Sequence, residues 1–144
     1  MPTIPHERLT LDQRTRIRET LETLKPMLAP VAALFYGKLF ELDPSARRLF
    51  HIDLAEQGRK IMNTHDSIGQ SIDHLDSLNE RLAELGRQHA SYGVKPEQYD
   101  KVTKALLWAL AQALGPDFDR PTREAWTLAL THVCTQMKLG ASHL

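Results

Sequence analysis

The stretch "LGRQHASYGVKPEQY", residues 85–99, decides how this chain is read. Leu78, Leu82, Leu85 and His89 follow one another at spacings of four, three and four, the repeat of one face of an α-helix. Gly93 then supplies a stop, because glycine tolerates the left-handed backbone that ends helices, and Pro96 opens the next segment. An otherwise apolar stripe therefore ends on an imidazole that faces the core.

The same period runs outward through the rest of the chain. Alternating apolar and polar residues and Asn-Gly or Asp-Gly hairpin signals are missing, so the predicted fold class is all-α. Thr10 and Gln13 have the form of a capping box, opening a helix with Leu11, Ile17, Leu21 and Leu24 on its stripe and an end near Pro26. From Pro30, "PVAALFYGKLFEL" sets Val31, Leu34, Phe35 and Phe40 close to one side. "DPSARRLF" restarts with Asp43 as cap and Pro44 in the first turn, which predicts a short helix directly after a longer one. Asp53 and Glu56 form a second capping box before the stripe Leu54, Ile61, Ile68 and Ile72, with Gln57 and His65 inside it. After Pro96 come Tyr99, Val102, Leu106, Leu110 and Leu114; after Pro121 come Trp126, Leu130, Val133 and Met137, with Gly140 near the close. About seven helices are expected, in a single domain over residues 1–144, without repeats or a separating linker.

The totals narrow the function classes. Eighteen basic and 18 acidic residues give zero formal charge, and no basic run offers a footprint for nucleic acid or anionic lipid. Cys134 is the single cysteine, so no internal disulfide can form. The opening "MPTIPHERLTLDQ" has neither the apolar core of a signal peptide nor a membrane-spanning run, so the cytoplasm is the expected compartment.

An inward imidazole must find a hydrogen-bond partner or a metal, since burying it unpaired costs roughly 1–3 kcal/mol. On spacing alone, a core histidine satisfied by a neighbour is the simpler reading. A four-ligand zinc site lacks ligands: the sequence has no Cys-x-x-Cys, no His-x-x-x-His and no Glu-x-x-His on one helical face. A haem iron needs only one axial imidazole and an apolar slot between helices, which Gln57, Ile61, Phe50 and Tyr36 are suited to line.

With those residues in view, the chain resembles the globins, roughly from Leu11 to Lys138. It is most similar to bacterial single-domain haemoglobins and the haem domain of flavohaemoglobins, and is also similar to neuroglobin. Pro44 and Phe50 of "DPSARRLF" and the segment "LGRQHASYGVKPEQY" carry the likeness. The resemblance implies a globin fold around a haem b pocket, with His89 as the proximal iron ligand, Gln57 and Tyr36 as the distal pair and Phe50 against the macrocycle. Ile61, Leu85 and Val94 are expected to line the pocket. Tyr99 matches the tyrosine near the proximal histidine in flavohaemoglobins, with a core role equally open. Lys60 and Arg59 are candidates for a haem propionate, with solvated surface charge as the simpler reading; His65 is expected at the back of the pocket rather than on iron. Trp108, Trp126 and the methionines read as packing.

Gln57 in place of a distal histidine implies an open sixth position on ferrous iron. The function so implied is reversible oxygen binding, for carriage or storage, with O2, CO and NO as ligands and a monomer or weak dimer as the expected state. The alternative is dioxygenation of nitric oxide to nitrate, for which Tyr36 and Gln57 would be the catalytic pair. It needs a separate reductase, because no Gly-rich phosphate loop follows the helical region. A gas sensor is a further alternative. The position of the flavohaemoglobin glutamate that bonds the proximal tyrosine falls here on Ala141, which weakens any peroxidase-like electronic push.

Overall fold

The computed structural model describes residues 9–49, 78–91 and 93–142. Five α-helices run through them: α1 (Leu11–Leu24), α2 (Leu28–Leu42), α3 (Asn79–Ser91), α4 (Gln98–Leu114) and α5 (Arg120–Ala141). Short 3-10 segments occupy Lys25–Met27, Pro44–Leu49 and Gly115–Asp117. The count among the described residues is thus five α-helices rather than seven. The short helix expected from Asp43 is the 3-10 segment Pro44–Leu49, and the one expected from Asp53 lies outside the described residues.

Local chemistry accounts for three of the helix starts. The Thr10 side chain accepts from the Gln13 amide at 3.1 Å while Gln13 Oε1 accepts from the Thr10 amide at 2.9 Å, a complete capping box. Helix α2 begins two residues before Pro30, because a proline in the first turn lacks only an N–H that would have no intrahelical partner there. Asp119 caps α5 by accepting from the Thr122 amide at 3.0 Å, with Pro121 in the first turn.

Helix α5 is the axis of the packing, meeting α3 most extensively and also α1 and α4, while α2 lies on α4. The α3–α5 crossing is reciprocal and very close. A Cβ added at Gly86 would fall on the backbone of Met137, and one added at Gly140 on the backbone of Ala83. Gly140, near the close of α5 at Ala141, lets two backbones touch. Ile17, Val31, Leu39, Ala105, Ala109 and Ala125 are at most 2% exposed at the centre. Two polar links cross this core and its edge. The Trp126 indole N–H donates to Thr20 Oγ1 at 2.9 Å, joining α5 to α1, and His132 Nε2 lies 2.8 Å from Asn79 Oδ1, joining α5 to the start of α3. No helix among the described residues is long and apolar enough to cross a membrane.

Candidate functional site

The expected stripe of α3 is buried at Leu78 and Leu82 and half-buried at Leu85 and His89. His89 sits in the last turn, where its Nδ1 lies 2.7 Å from the Leu85 carbonyl oxygen. A carbonyl can only accept, so Nδ1 carries the hydrogen and, in the neutral ring, Nε2 has the lone pair. The imidazole is thus held as one tautomer by its own helix, one turn back.

The end of α3 explains why Val94 belongs to the same neighbourhood. The Val94 amide donates to the His89 carbonyl at 3.0 Å and the Gly93 amide to that of Ala90 at 3.0 Å, the paired bonds of a Schellman turn. Such a turn needs a left-handed residue, and Gly93 has φ 97°. The chain reverses there and returns a half-buried Val94 beside His89.

Tyr36 lies on α2, 4% exposed. Its ring meets Phe35 at 5.1 Å between centroids, tilted 58°, and stacks on Phe40 at 5.9 Å with 22° between planes. Burial raises its phenol far above the ordinary tyrosine range, so the group keeps its proton and remains a donor. Tyr99, at the start of α4, is also buried, and burial and then the nearby Cys134 push its phenol up. Its hydroxyl has no hydrogen-bond partner among the described residues. Instead the Lys138 ammonium stands 5.9 Å from the Tyr99 ring centre.

A polar junction fixes the turn after α2. Asp43, 5% exposed, accepts from the Ser45 amide at 3.2 Å, the Ser45 hydroxyl at 2.5 Å and Gln98 Nε2 at 3.0 Å, tying this turn to α4. Those bonds, with Lys101 at 3.9 Å, hold its carboxyl below the usual range.

Phe50, Gln57, Arg59, Lys60, Ile61 and His65 lie outside the described residues. Among the described ones, Leu85, His89 and Val94 come together, while Tyr36 is held on α2 by its aromatic neighbours. Sequence reading placed Leu85 in the pocket but missed its carbonyl as the acceptor for His89. The i, i+4 spacing was the available signal.

The globin family profile matches residues 33–137. The chain belongs to the globin family. Neuroglobin of Tetraodon nigroviridis is 30% identical to this globin and neuroglobin-1 of Oncorhynchus mykiss 28%, each aligned over 93% of both chains. Among solved structures, an engineered carbene transferase from Rhodothermus marinus, described as a candidate nitric oxide dioxygenase, is 24% identical with a TM-score of 0.83 over 94% of both chains. A hexacoordinated haem protein of an anhydrobiotic tardigrade has a TM-score of 0.84 at 19% identity, over 97% of this chain and 99% of that one. A bacterial globin of Campylobacter jejuni has 0.82 at 22%, over 93% and 97%. These three likenesses establish the fold.

Membership carries a haem cofactor and haem-based binding of small gases. The residues present fit that group. His89 offers one oriented nitrogen donor beside apolar Leu85 and Val94.

Proposed function

We propose that this globin binds molecular oxygen reversibly at a haem b held by His89. The observation that carries the reading is the 2.7 Å contact between His89 Nδ1 and the Leu85 carbonyl, which leaves Nε2 as the ring nitrogen able to ligate. When bound, haem would supply an iron able to take up a diatomic gas, and His89 is the residue proposed to hold that iron. The Leu85 carbonyl holds the His89 ring orientation and makes Nε2 a stronger donor.

On the opposite side, Tyr36 is the proposed donor to a polarised dioxygen molecule, since its buried phenol stays protonated and its ring is braced by Phe35 and Phe40. Gln57 is proposed as the second donor. A glutamine has no ring nitrogen to offer iron, so Gln57 would leave room for a gas there, whereas the tardigrade protein is described as hexacoordinated. Phe50, Lys60, Ile61 and Tyr99 complete the proposed cofactor contacts, while Leu85 and Val94 keep water out on the proximal side. The proposed compartment is the cytoplasm.

Dioxygenation of nitric oxide is a second reading, supported by the description of the Rhodothermus marinus neighbour. It uses the same donors and draws electrons from a separate reductase. Absorption spectra of the ferric, dithionite-reduced and air-exposed protein test the primary reading: a stable oxy spectrum at one haem per chain supports it. Rapid oxidation in air, with nitrate formed from added nitric oxide and turnover sustained by a reductase, supports the second. Tyr36→Phe removes a hydrogen bond to a partly charged atom, worth about 1.5–3 kcal/mol, so oxygen should dissociate roughly ten- to hundred-fold faster. CO carries little charge on its outer atom and should barely respond. An oxygen off-rate within about twofold of wild type, a change of only ~0.4 kcal/mol, refutes Tyr36 as the donor.

A further inference from the structure

The proposed donor Tyr36 is linked through the Phe40 ring to Arg47. Its ring stacks on Phe40, one turn along α2, and the Arg47 guanidinium carbon lies 5.2 Å from the Phe40 ring centre on the next segment. Arg47 is exposed, whereas Tyr36 is buried, so these two contacts link the surface to the interior. Their geometry depends on the turn at Asp43. The Asp43 carboxylate accepts from the Ser45 amide and hydroxyl, and the Asp43 carbonyl from the Ala46 amide at 3.0 Å, which turns the 3-10 segment Pro44–Leu49 back over the end of α2. Gln98 ties the same carboxylate to α4, so the turn is fixed from two sides.

We infer that Phe40 and Arg47 are positioning residues for Tyr36: the guanidinium clamps Phe40 against the Tyr36 ring and thereby sets where the buried hydroxyl stands. Three physical points support this. A cation over an aromatic face is attracted by the ring's negative potential, and arginine adds a planar stacking surface. A parallel-stacked pair resists rotation of either ring, because turning one loses contact with the other. A hydrogen bond weakens steeply as its angle departs from linear, so a small loss of ring order reaches the ligand. The clamp thus converts a surface charge into donor alignment without touching the gas. This inference rests on the proposed donor role of Tyr36.

The test uses the haem-loaded protein and a double-mutant cycle. Arg47→Ala should speed oxygen dissociation about two- to five-fold, equivalent to ~0.4–1 kcal/mol at 1.4 kcal/mol per tenfold, and leave CO dissociation within about 1.5-fold. Arg47→Lys, which keeps a cation over the ring, should recover most of the wild-type rate. In a Tyr36→Phe background Arg47→Ala should have no further effect on oxygen, because the hydroxyl through which it acts is gone. Independently of gas kinetics, tyrosine-labelled NMR of the CO form should show the Tyr36 ring resonances moving in Arg47→Ala while those of Tyr99 stay in place. Phe40→Leu should move them further.

An unchanged oxygen off-rate in Arg47→Ala overturns the clamp, as does an Arg47 effect of equal size in the Tyr36→Phe background. If Tyr36→Phe itself is without effect on oxygen, the donor reading fails instead; unmoved Tyr36 resonances in Arg47→Ala dispose of the clamp whichever way the gas rates fall.

Discussion

Replacing glycine by alanine in a helix interior ordinarily stabilises a protein, by up to ~1 kcal/mol. Two glycines of this globin should respond with opposite signs. At Gly86 an added Cβ would lie only 2.6 and 2.7 Å from the carbonyl carbon and Cα of Met137, and nearer still to its carbonyl oxygen, where ordinary contact begins at 3.4 Å. The obstacle is helix backbone, so α3 must withdraw from α5 by roughly an ångström over their closest stretch. Overpacking of this kind costs about 1–3 kcal/mol, and an unyielding backbone places Gly86 at the upper end. Subtracting the propensity gain leaves a net loss of ~2 kcal/mol, a fall of roughly 4–8 °C in Tm for a chain of this size. Gly37→Ala meets nothing within 4 Å and should raise Tm by roughly 2–4 °C. Circular dichroism melts of the two haem-loaded variants measure the contrast. Because Gly86 precedes His89 by three residues on the same helix, transfer of haem to an excess acceptor should also be faster in Gly86→Ala and unchanged in Gly37→Ala. A Gly86→Ala variant as stable as wild type would show that α3 and α5 are not in backbone contact, and the reasoning would fall.

Removing the imidazole proposed to hold the iron, with His89→Ala, should leave little tightly held haem, and retained haem with an unaltered ferrous-CO spectrum would assign the proximal role to another residue. The Asp43 carboxyl titrates below its unfolded value of ~3.9, so the unfolded chain holds more protons in that window and stability rises with pH through it; Asp43→Asn should flatten that slope in urea titrations run downward from about pH 5. The same variant also turns an amide N–H₂ toward one of the present donors, Ser45 or Gln98, so it should be less stable at neutral pH as well. Thr20→Val keeps the side-chain volume but removes the acceptor 2.9 Å from the buried Trp126 indole, and should cost about 1–3 kcal/mol in denaturant midpoints; a loss under ~0.5 kcal/mol would mean the bond contributes little.

The amino-acid sequence by itself determined those features that are settled within a turn or so of chain. The all-α class follows from the three- and four-residue spacing of apolar side chains, and the capping box at Thr10 and Gln13, the Asp43 cap and the stop at Gly93 are read from residues two to five positions apart. The likeness to globins was legible for a related reason, since "DPSARRLF" and "LGRQHASYGVKPEQY" are contiguous signals. Tertiary structure decided what depends on which helices meet. In the sequence Gly140 only marks the region where the last helix closes; that it is a contact point against Ala83 depends on the partner helix. Gln98 reaches Asp43 across 55 positions and Trp126 reaches Thr20 across 106, separations over which no periodicity specifies a bond. The link from Tyr36 through Phe40 to Arg47 combines both cases: its first step is a helical repeat visible in the sequence, while its second exists only because the turn at Asp43 folds the chain back over α2.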